Sequence, residues 1–199
     1  QPLAPHALIL DCGANIGLSV IWLKQQHADA RIIAFEPDPA NFRLLEKNIA
    51  SYELRDVTCH NAAVWKEDTT RTFSAAGGMA SGFTNTISKD TVSVPCLRLK
   101  YFLHEPIDFL KLDIEGAEWE VLNDCASSLG LVKRIFVEYH GQFNEQEKLV
   151  NILNILKNAG FHYYLREAAS LYPTPFYRTK SSEHPYQVQL NIFGFRAGE

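Results

Sequence analysis

The sequence predicts an α/β domain built on a mostly parallel β-sheet, with helices on both faces. Short apolar runs alternate with amphipathic stretches, which is the pattern of βα units around such a sheet. The chain has 199 residues, of which 46% are hydrophobic, so it is long enough for one well-cored domain and short for two. We therefore treat residues 1–199 as a single domain. The predicted strands are residues 7–12, 31–35, 57–64, 108–114 and 132–139.

Amphipathic stretches between these runs predict the first three helices. Residues 16–28 follow the first strand. The second helix begins within "EPDPANFRLLEKNI", where Asp38 suits the N-cap and Pro39 the first helical position. The third helix is predicted at residues 117–126, because its apolar side chains recur on one stripe.

The C-terminal part of the chain predicts one more helix and two closing strands. In "NEQEKLVNILNILKNAG", Asn144 and Glu147 form a capping box and Gly160 ends the helix. Residues 161–165 and 188–195 are apolar, and no helix is predicted between them. We therefore expect these two strands to form an antiparallel hairpin at one edge of the sheet.

Two polar stretches interrupt the alternation. Residues 74–91, "SAAGGMASGFTNTISKDT", are too many for an ordinary connection. They form either a surface excursion or a lid that orders over the bound ligands. Residues 177–186 leave the same two alternatives.

The charge balance and hydropathy exclude two classes of partner. The net charge is −4, from 23 acids and 19 bases, so no strong field attracts nucleic acid phosphates. No apolar run approaches the roughly 20 residues that span a bilayer, and no signal peptide is visible. We expect neither a nucleic acid nor a membrane partner, and nothing in the sequence specifies an oligomeric state.

Cysteine usage predicts a reducing compartment. Cys12, Cys59, Cys96 and Cys125 are scattered without CxxC spacing, and three lie in apolar runs. Reduced core thiols fit this pattern, so we expect a cytoplasmic protein. The chain opens at Gln1, almost directly on a strand, and we expect a further N-terminal segment in the whole protein.

A glycine turn follows the first strand in "LILDCGANIGLSV". Gly13 would let the backbone turn sharply beside a ligand, and Gly17 would let the helix pack close to the strand. The dinucleotide pattern G-x-G-x-x-G is absent, and Asp11 at the strand end would repel a pyrophosphate. Asp11 suits a ligand with a cationic end, such as S-adenosylmethionine; alternatively it only caps a nearby backbone group.

A second acid ends the second strand. Glu36 lies about 20 residues beyond the glycine turn, where a carboxylate accepts both ribose hydroxyls of an adenosine. NAD enzymes use the same arrangement. Glu36 therefore indicates that the ligand contains adenosine, but it does not indicate methyl transfer. The alternative is an exposed acid near the N-terminus of the next helix.

Charged residues alternate through the apolar strand in "DFLKLDIEGAEWEVL". Lys111, Asp113 and Glu115 share one face of this strand, and Lys111 should neutralise a buried carboxylate. On the next strand Glu138 and His140 also share a face, so the acids and the histidine should meet at one rim. Glu118 just beyond should lie in the first turn of the following helix.

Four segments together resemble successive motifs of the FkbM-type S-adenosylmethionine-dependent methyltransferases: "DCGANIG", "AFEPDPANFRLLEKNI", "NAAVW" and "FLKLDIEGAEWEVL". The resemblance implies a Rossmann-like class I methyltransferase fold with a seven-stranded sheet, and O-methylation of a sugar, glycan or natural product. It also implies cofactor contacts: Asp11, Gly13, Asn15 and Gly17 at the methionine end, Glu36 with Pro37 at the ribose, and Asn61, Ala62 and Ala63 at the adenine.

The rim residues are the candidates for catalysis. A hydroxyl acceptor must lose its proton to a base or to a metal that lowers its pKa. We expect Asp113 near the sulfonium end of the cofactor, with Glu115 and His140 facing the acceptor. His140 is the preferred base because its unperturbed pKa lies near working pH. The rim could also hold a hard divalent cation, but no metal-ligand spacing supports one, so no metal ligand is assigned.

Two other functions fit the same fold class. A nucleotide-dependent oxidoreductase would require a dinucleotide fingerprint and a catalytic pair such as Tyr-Lys, and the sequence has neither. A non-catalytic methyltransferase-like binding module would leave the rim acids without a purpose. The interpretation is therefore a methyltransferase that acts on a small-molecule or glycan acceptor.

Overall fold

The computed structural model describes residues 3–74, 82–83, 91–172, 174, 176 and 185–197, with the backbone alone at 82–83. Within this part of the chain the predicted α/β fold is confirmed. The strands are β1 (Leu8–Cys12), β2 (Arg31–Phe35), β3 (Val57–His60), β4 (Ala63–Trp65), β5 (Thr69–Ser74), β6 (Gly82–Phe83), β7 (Thr91–Arg98), β8 (Ile107–Leu112), β9 (Val132–Gly141), β10 (His162–Glu167) and β11 (Val188–Phe195). The helices are α1 (Leu18–Gln26), α2 (Pro39–Ser51), α3 (Glu118–Cys125) and α4 (Gln146–Asn158).

The main sheet has seven strands in the order β10-β11-β9-β8-β1-β2-β3. Neighbouring strands from β9 to β3 are parallel, and β11 is antiparallel to both β9 and β10. The predicted closing hairpin is thus confirmed, with β10 at the edge and β11 inside it. Because the carboxyl ends of β1, β2, β8 and β9 lie on the same side, the residues that follow them can form one site.

Alternation along β1 divides the core between the two faces of the sheet. Ile9 packs with residues of α1 and α2, whereas Leu10 packs with residues of α3 and α4. Both side chains are 0% exposed. The strand is therefore buried on both faces, as a central parallel strand requires.

A second, four-stranded sheet was not predicted. Its order is β4-β7-β5-β6. The predicted strand at 57–64 is wrong as one element, because β3 belongs to the main sheet and β4 to the second. The polar stretch 74–91 is bounded by strand residues of this sheet; its residues 75–81 and 84–90 lie outside the described part, as do residues 177–184 of the other polar stretch.

The helix boundaries correct one prediction and confirm two. Asp38 caps α2, accepting hydrogen bonds from the amides of Ala40 and Asn41. The predicted capping box is wrong: Asn144 lies in a 3₁₀ turn, and α4 begins only at Gln146, without a side-chain cap. Gly160 follows the end of α4 as predicted, and its amide donates to the Lys157 carbonyl.

Two expectations from composition can be compared with the coordinates. All four cysteines are free, and Cys12, Cys96 and Cys125 are buried, as expected of core thiols. In the ranges that the structure describes, no helix combines the length and the apolar character needed to cross a membrane.

The turn after β1 requires glycine at two positions. Gly13 has φ 84°, and a Cβ there would lie 1.8 Å from the Asp113 carbonyl oxygen. Gly17 has φ 88°, and its Cβ would lie 2.6 Å from Cδ1 of Leu45. Gly17 thus allows close packing against α2, and not against the strand as predicted. Gly13 brings the turn into contact with the residue that follows β8.

Replacement of Gly13 should therefore be costly. We expect Gly13→Ala to lower the free energy of unfolding by at least about 2 kcal/mol, since the added carbon clashes with backbone and the left-handed φ is strained. The control is Gly130→Ala, because no heavy atom lies within 4 Å of its added Cβ. Urea denaturation of both variants measures the difference. Equal stabilities would contradict the proposed close contact between the turn and Asp113.

Candidate active site

An open cleft lies at the carboxyl ends of β1, β2 and β8. Seven predicted cofactor residues line it: Gly13, Asn15, Glu36, Pro37, Ala62, Ala63 and Asp113. Glu115, which together with Asp113 was also predicted to be catalytic, lines it too. The cleft therefore brings together the glycine turn, the predicted ribose-binding acid Glu36 and the rim acids.

Three predicted cofactor residues lie behind the wall of the cleft. The Asp11 side chain is 0% exposed, so direct contact with a ligand is not available to it in this structure. Gly17 faces α2, as described above. The side-chain amide of Asn61 donates to the carbonyls of Glu36 and Pro37 at 2.9 and 3.2 Å. Asn61 and Gly17 thus support the wall of the cleft. Asp11 instead pairs with Lys111.

Glu36 is a buried carboxylate held by two backbone amides. Its Oε2 accepts from Asn15 and its Oε1 from Asp38, both at 2.8 Å. Glu36 is 5% exposed, which rules out the alternative of a solvated acid. Burial raises the pKa of Glu36 to about 7, although the amides of Asp38 and Asn15 oppose the shift. A carboxylate has about four acceptor positions, so two remain for ligand hydroxyls.

Asp11 and Asp113 are joined by Lys111. Lys111 Nζ lies 3.2 Å from Asp11 Oδ1 and 3.3 Å from Asp113 Oδ2, and it donates to the Gly13 carbonyl at 2.9 Å. Burial alone would lower the pKa of Lys111, but the two carboxylates raise it. Burial raises the pKa of Asp113, against the attraction of Lys111. The prediction that Lys111 pairs with a buried carboxylate is confirmed, and Ser19 also donates to Asp11.

The rim cluster forms around His140. Its Nε2 lies 3.6 Å from a carboxylate oxygen of Glu115 and 3.6 Å from one of Glu138. Its Nδ1 lies 3.2 Å from Glu118 Oε1. A carboxylate can only accept here, so Nδ1 carries the proton of that bond. The predicted meeting of the acids and the histidine at one rim is confirmed.

Glu118 shapes the turn that carries Glu115. It lies in the first turn of α3, as predicted, but its side chain is 1% exposed and points inward. Its Oε1 accepts from the amides of Ile114 and Gly116 at 3.3 and 3.0 Å. The predicted strand at 108–114 is confirmed as β8, but it ends two residues early, at Leu112, and Glu115 has φ 56°. Glu115 therefore faces His140 from a left-handed turn, and not from a strand.

Residues before and within β11 close the other side of the cluster. The Tyr186 hydroxyl donates to the Glu115 carbonyl at 2.7 Å, and its ring centroid lies 4.7 Å from that of His140. The Gln189 amide nitrogen donates to Glu138 at 2.6 Å and lies 3.2 Å from His140 Nε2. The cluster is thus held between α3 and the closing hairpin.

The neighbouring acids alter two pKa values. Burial raises the pKa of Glu115 to about 7, against the attraction of His140. Burial would lower the pKa of His140, but its bonds to Glu118 and Glu138 outweigh this and raise it to about 10. The choice of His140 as base assumed an unperturbed pKa, and that premise is wrong in the folded protein. Its side chain is also 1% exposed, against 25% for Glu115.

Sequence reasoning missed several residues of the site. Phe35, Asn41, Val64, Phe73 and Ile114 line the cleft. Most are apolar and belong to runs that also predict core, so no local pattern separates the two roles. The sequence shows that Glu118 lies next to this turn. A favourable interaction with the helix dipole was enough to explain an acid there, so no inward contact was predicted.

Comparison with known proteins agrees with this geometry. A family model described as the methyltransferase FkbM domain matches residues 11–163. "Methyltransferase 1" of Beauveria bassiana (strain ARSEF 2860) is 27% identical over 147 residues, which cover 61% of this chain and 59% of that protein. The chain thus spans less than two thirds of this relative.

Two solved structures share the fold. The crystal structure of methyltransferase FkbM from Methylobacillus flagellatus KT is 16% identical, with a TM-score of 0.64 over 96% of this chain and 44% of the other. A SAM-dependent O-methyltransferase of Thermotoga maritima is 14% identical, with a TM-score of 0.52 over 99% of this chain and 62% of the other. The family model spans more than half of the chain, and the protein therefore belongs to the FkbM methyltransferase family.

Proposed function

We propose that this protein transfers the methyl group of S-adenosylmethionine to a hydroxyl oxygen of a sugar, glycan or other small molecule. The observation that carries the proposal is one cleft with a buried acceptor carboxylate, Glu36, after β2 and an acid cluster after β8. FkbM family membership supports methyl transfer. The proposals for the cofactor and for the acceptor atom rest on the geometry of the site itself.

The cleft residues fit an adenosyl cofactor. Glu36 keeps two acceptor positions beyond its backbone amides, which matches the two hydroxyl donors of a ribose. β2 and β8 lie on either side of β1, so their ends are roughly 10 Å apart at the usual strand spacing. Asp113 on the β8 side suits the cationic methionine and sulfonium end.

The cofactor supplies an activated methyl group: transfer breaks the S–C bond, forms an O–C bond and leaves the electron pair on a neutral thioether. The protein must align the acceptor and receive its proton. Glu115 is the group of the cluster that both lines the cleft and contacts His140. We therefore assign Glu115 to the acceptor side, with His140 and Glu118 as positioning residues behind it.

Charge at the rim favours an acceptor without phosphate. Asp113, Glu115 and Glu138 lie on this side of the cleft, within contact distance of Lys111 or His140. A nucleic acid backbone would bring further negative charge against them. A polyol or another neutral hydroxyl compound meets no such repulsion.

Ligand binding tests the cofactor assignment. S-adenosylmethionine or its demethylated product should bind in calorimetry, and NAD should not. Glu36→Ala should weaken adenosyl ligands by about 1–3 kcal/mol, because the ribose hydroxyls lose their acceptor. The matched control is Glu46→Ala on the exposed side of α2. Tight NAD binding without an S-adenosylmethionine signal would end the methyltransferase proposal.

Glu36 also gives adenosyl binding a pH dependence. Ribose hydroxyls donate to the ionised carboxylate, so binding lowers the Glu36 pKa from its free value of about 7. Affinity should therefore rise with pH as the free carboxyl loses its proton, and level off above that range. Calorimetry with 5′-methylthioadenosine avoids the amino acid groups of the full cofactor. A profile that is the same in Glu36→Gln would contradict this role.

Turnover tests the acceptor side. Glu115→Gln should lower turnover by roughly 10²–10⁴-fold on a verified acceptor, the usual share of acid–base catalysis. Its affinity for S-adenosylmethionine should stay nearly unchanged. The control is Glu145→Gln, which changes a half-exposed acid paired with Lys148. If Glu115→Gln and His140→Ala both keep full turnover, the cluster is structural.

A further inference from the structure

We propose that Asp113, Glu115 and His140 bind a divalent cation of the Mg²⁺ or Mn²⁺ type, which holds the acceptor hydroxyl. No metal-ligand spacing is visible in the sequence, because the three residues come from the turn after β8 and the end of β9. The fold brings them together. The existence of the site stands on this geometry, and its role in the reaction rests on the proposed function.

The three ligand atoms are close enough for one ion. One donor atom from each residue lies within 4.8 Å of the other two. Metal–ligand bonds of about 2.0–2.2 Å place two donors at most about 4.4 Å apart. The cluster therefore needs a contraction of only a few tenths of an ångström. Glu115 lies on the cleft side, so the ion would be reached from the cleft.

The second observation is the orientation of His140 by a buried acid. Glu118 is 1% exposed and takes the Nδ1 proton of His140. Nε2 faces Glu115 and Glu138, each at 3.6 Å, and the Gln189 amide nitrogen at 3.2 Å, so a bound ion would replace the Gln189 contact. A carboxylate that fixes one ring nitrogen while the other faces carboxylates is the usual outer support of a metal-bound histidine. The cluster thus has both the donors and the support.

The local charge also favours a cation. Five carboxylates contact Lys111 or His140 here, and one of them, Asp11, is fully buried. Among the described residues, Lys111 and a protonated His140 are the two cations that contact these acids, and Lys111 already pairs with Asp11 and Asp113. Buried charge of one sign is costly without a partner. A divalent ion would balance the excess on the acceptor side.

The donor set indicates the class of ion. Two carboxylates suit Mg²⁺ and Mn²⁺, and an imidazole is tolerated by Mn²⁺. A hydroxyl bound to the ion would lose its proton more readily, and Glu138, with a side chain 22% exposed, can pass that proton to solvent. The O–C bond then forms as the S–C bond breaks, and no oxidant or reductant is needed.

Mn²⁺ binding to chelator-treated protein tests the site without any methyl transfer. Electron paramagnetic resonance should detect one bound Mn²⁺ per chain, and Mg²⁺ should compete for it. Asp113→Asn and Glu115→Gln should each weaken binding by roughly tenfold or more. Glu145→Gln removes the same charge elsewhere and should leave binding unchanged. Circular dichroism checks that each variant is folded.

The outcomes separate this proposal from the proposed function. No Mn²⁺ binding, with methyl transfer that persists under chelation, overturns the cation site and leaves the methyltransferase intact. Binding that survives in Asp113→Asn/Glu115→Gln indicates an adventitious ion only and also overturns it. If Mn²⁺ binds at this site and S-adenosylmethionine does not bind the protein, the cation site is supported and the proposed function fails.

Discussion

The arrangement of the site depends on the ammonium group of Lys111, whose side chain is only 14% exposed. It reaches the carboxylates of Asp11 and Asp113 and the carbonyl of Gly13, so one charge joins the ends of β1 and β8 to the glycine turn. Asp11 is fully buried, and a charge in that position is tolerated only when it is paired. Loss of one partner from a buried pair typically costs about 3–5 kcal/mol. The cofactor side and the acceptor side are therefore held by the same interaction.

Much of the fold could be predicted from the sequence, because hydrophobic periodicity reports which segments are buried. It does not report which strands pair. Residues 57–64 form one apolar run, yet Ala63 and Val64 belong to a second sheet. Asn144 and Glu147 have the spacing of a capping box, but a 3₁₀ turn before α4 moves the helix start past Asn144. Where tertiary packing determines the end of a helix or strand, local sequence signals do not predict that end correctly.

The rim of the site was predictable for a topological reason. Parallel strands end at the same edge, so Asp113 and His140 had to be neighbours once both strands were recognised. The consequences of that proximity were not predictable. The pKa of His140 depends on Glu118, which the sequence places in a helix turn and the structure turns inward. The inward Glu118 side chain accepts from the amides of Ile114 and Gly116 on either side of the left-handed Glu115, and no residue pattern predicts that turn.

The place of β11 in the sheet also determines when the site is completed during synthesis. β10 leaves the ribosome before β11, yet it joins the sheet only through β11, which lies between β9 and β10. A nascent chain therefore exposes the unpaired edge of β9 to other strands until the last strand arrives. Tyr186 and Gln189 emerge with that strand, and they close the cluster around His140. The unfinished chain thus lacks both the partner of β9 and the side chains that close the cluster around His140.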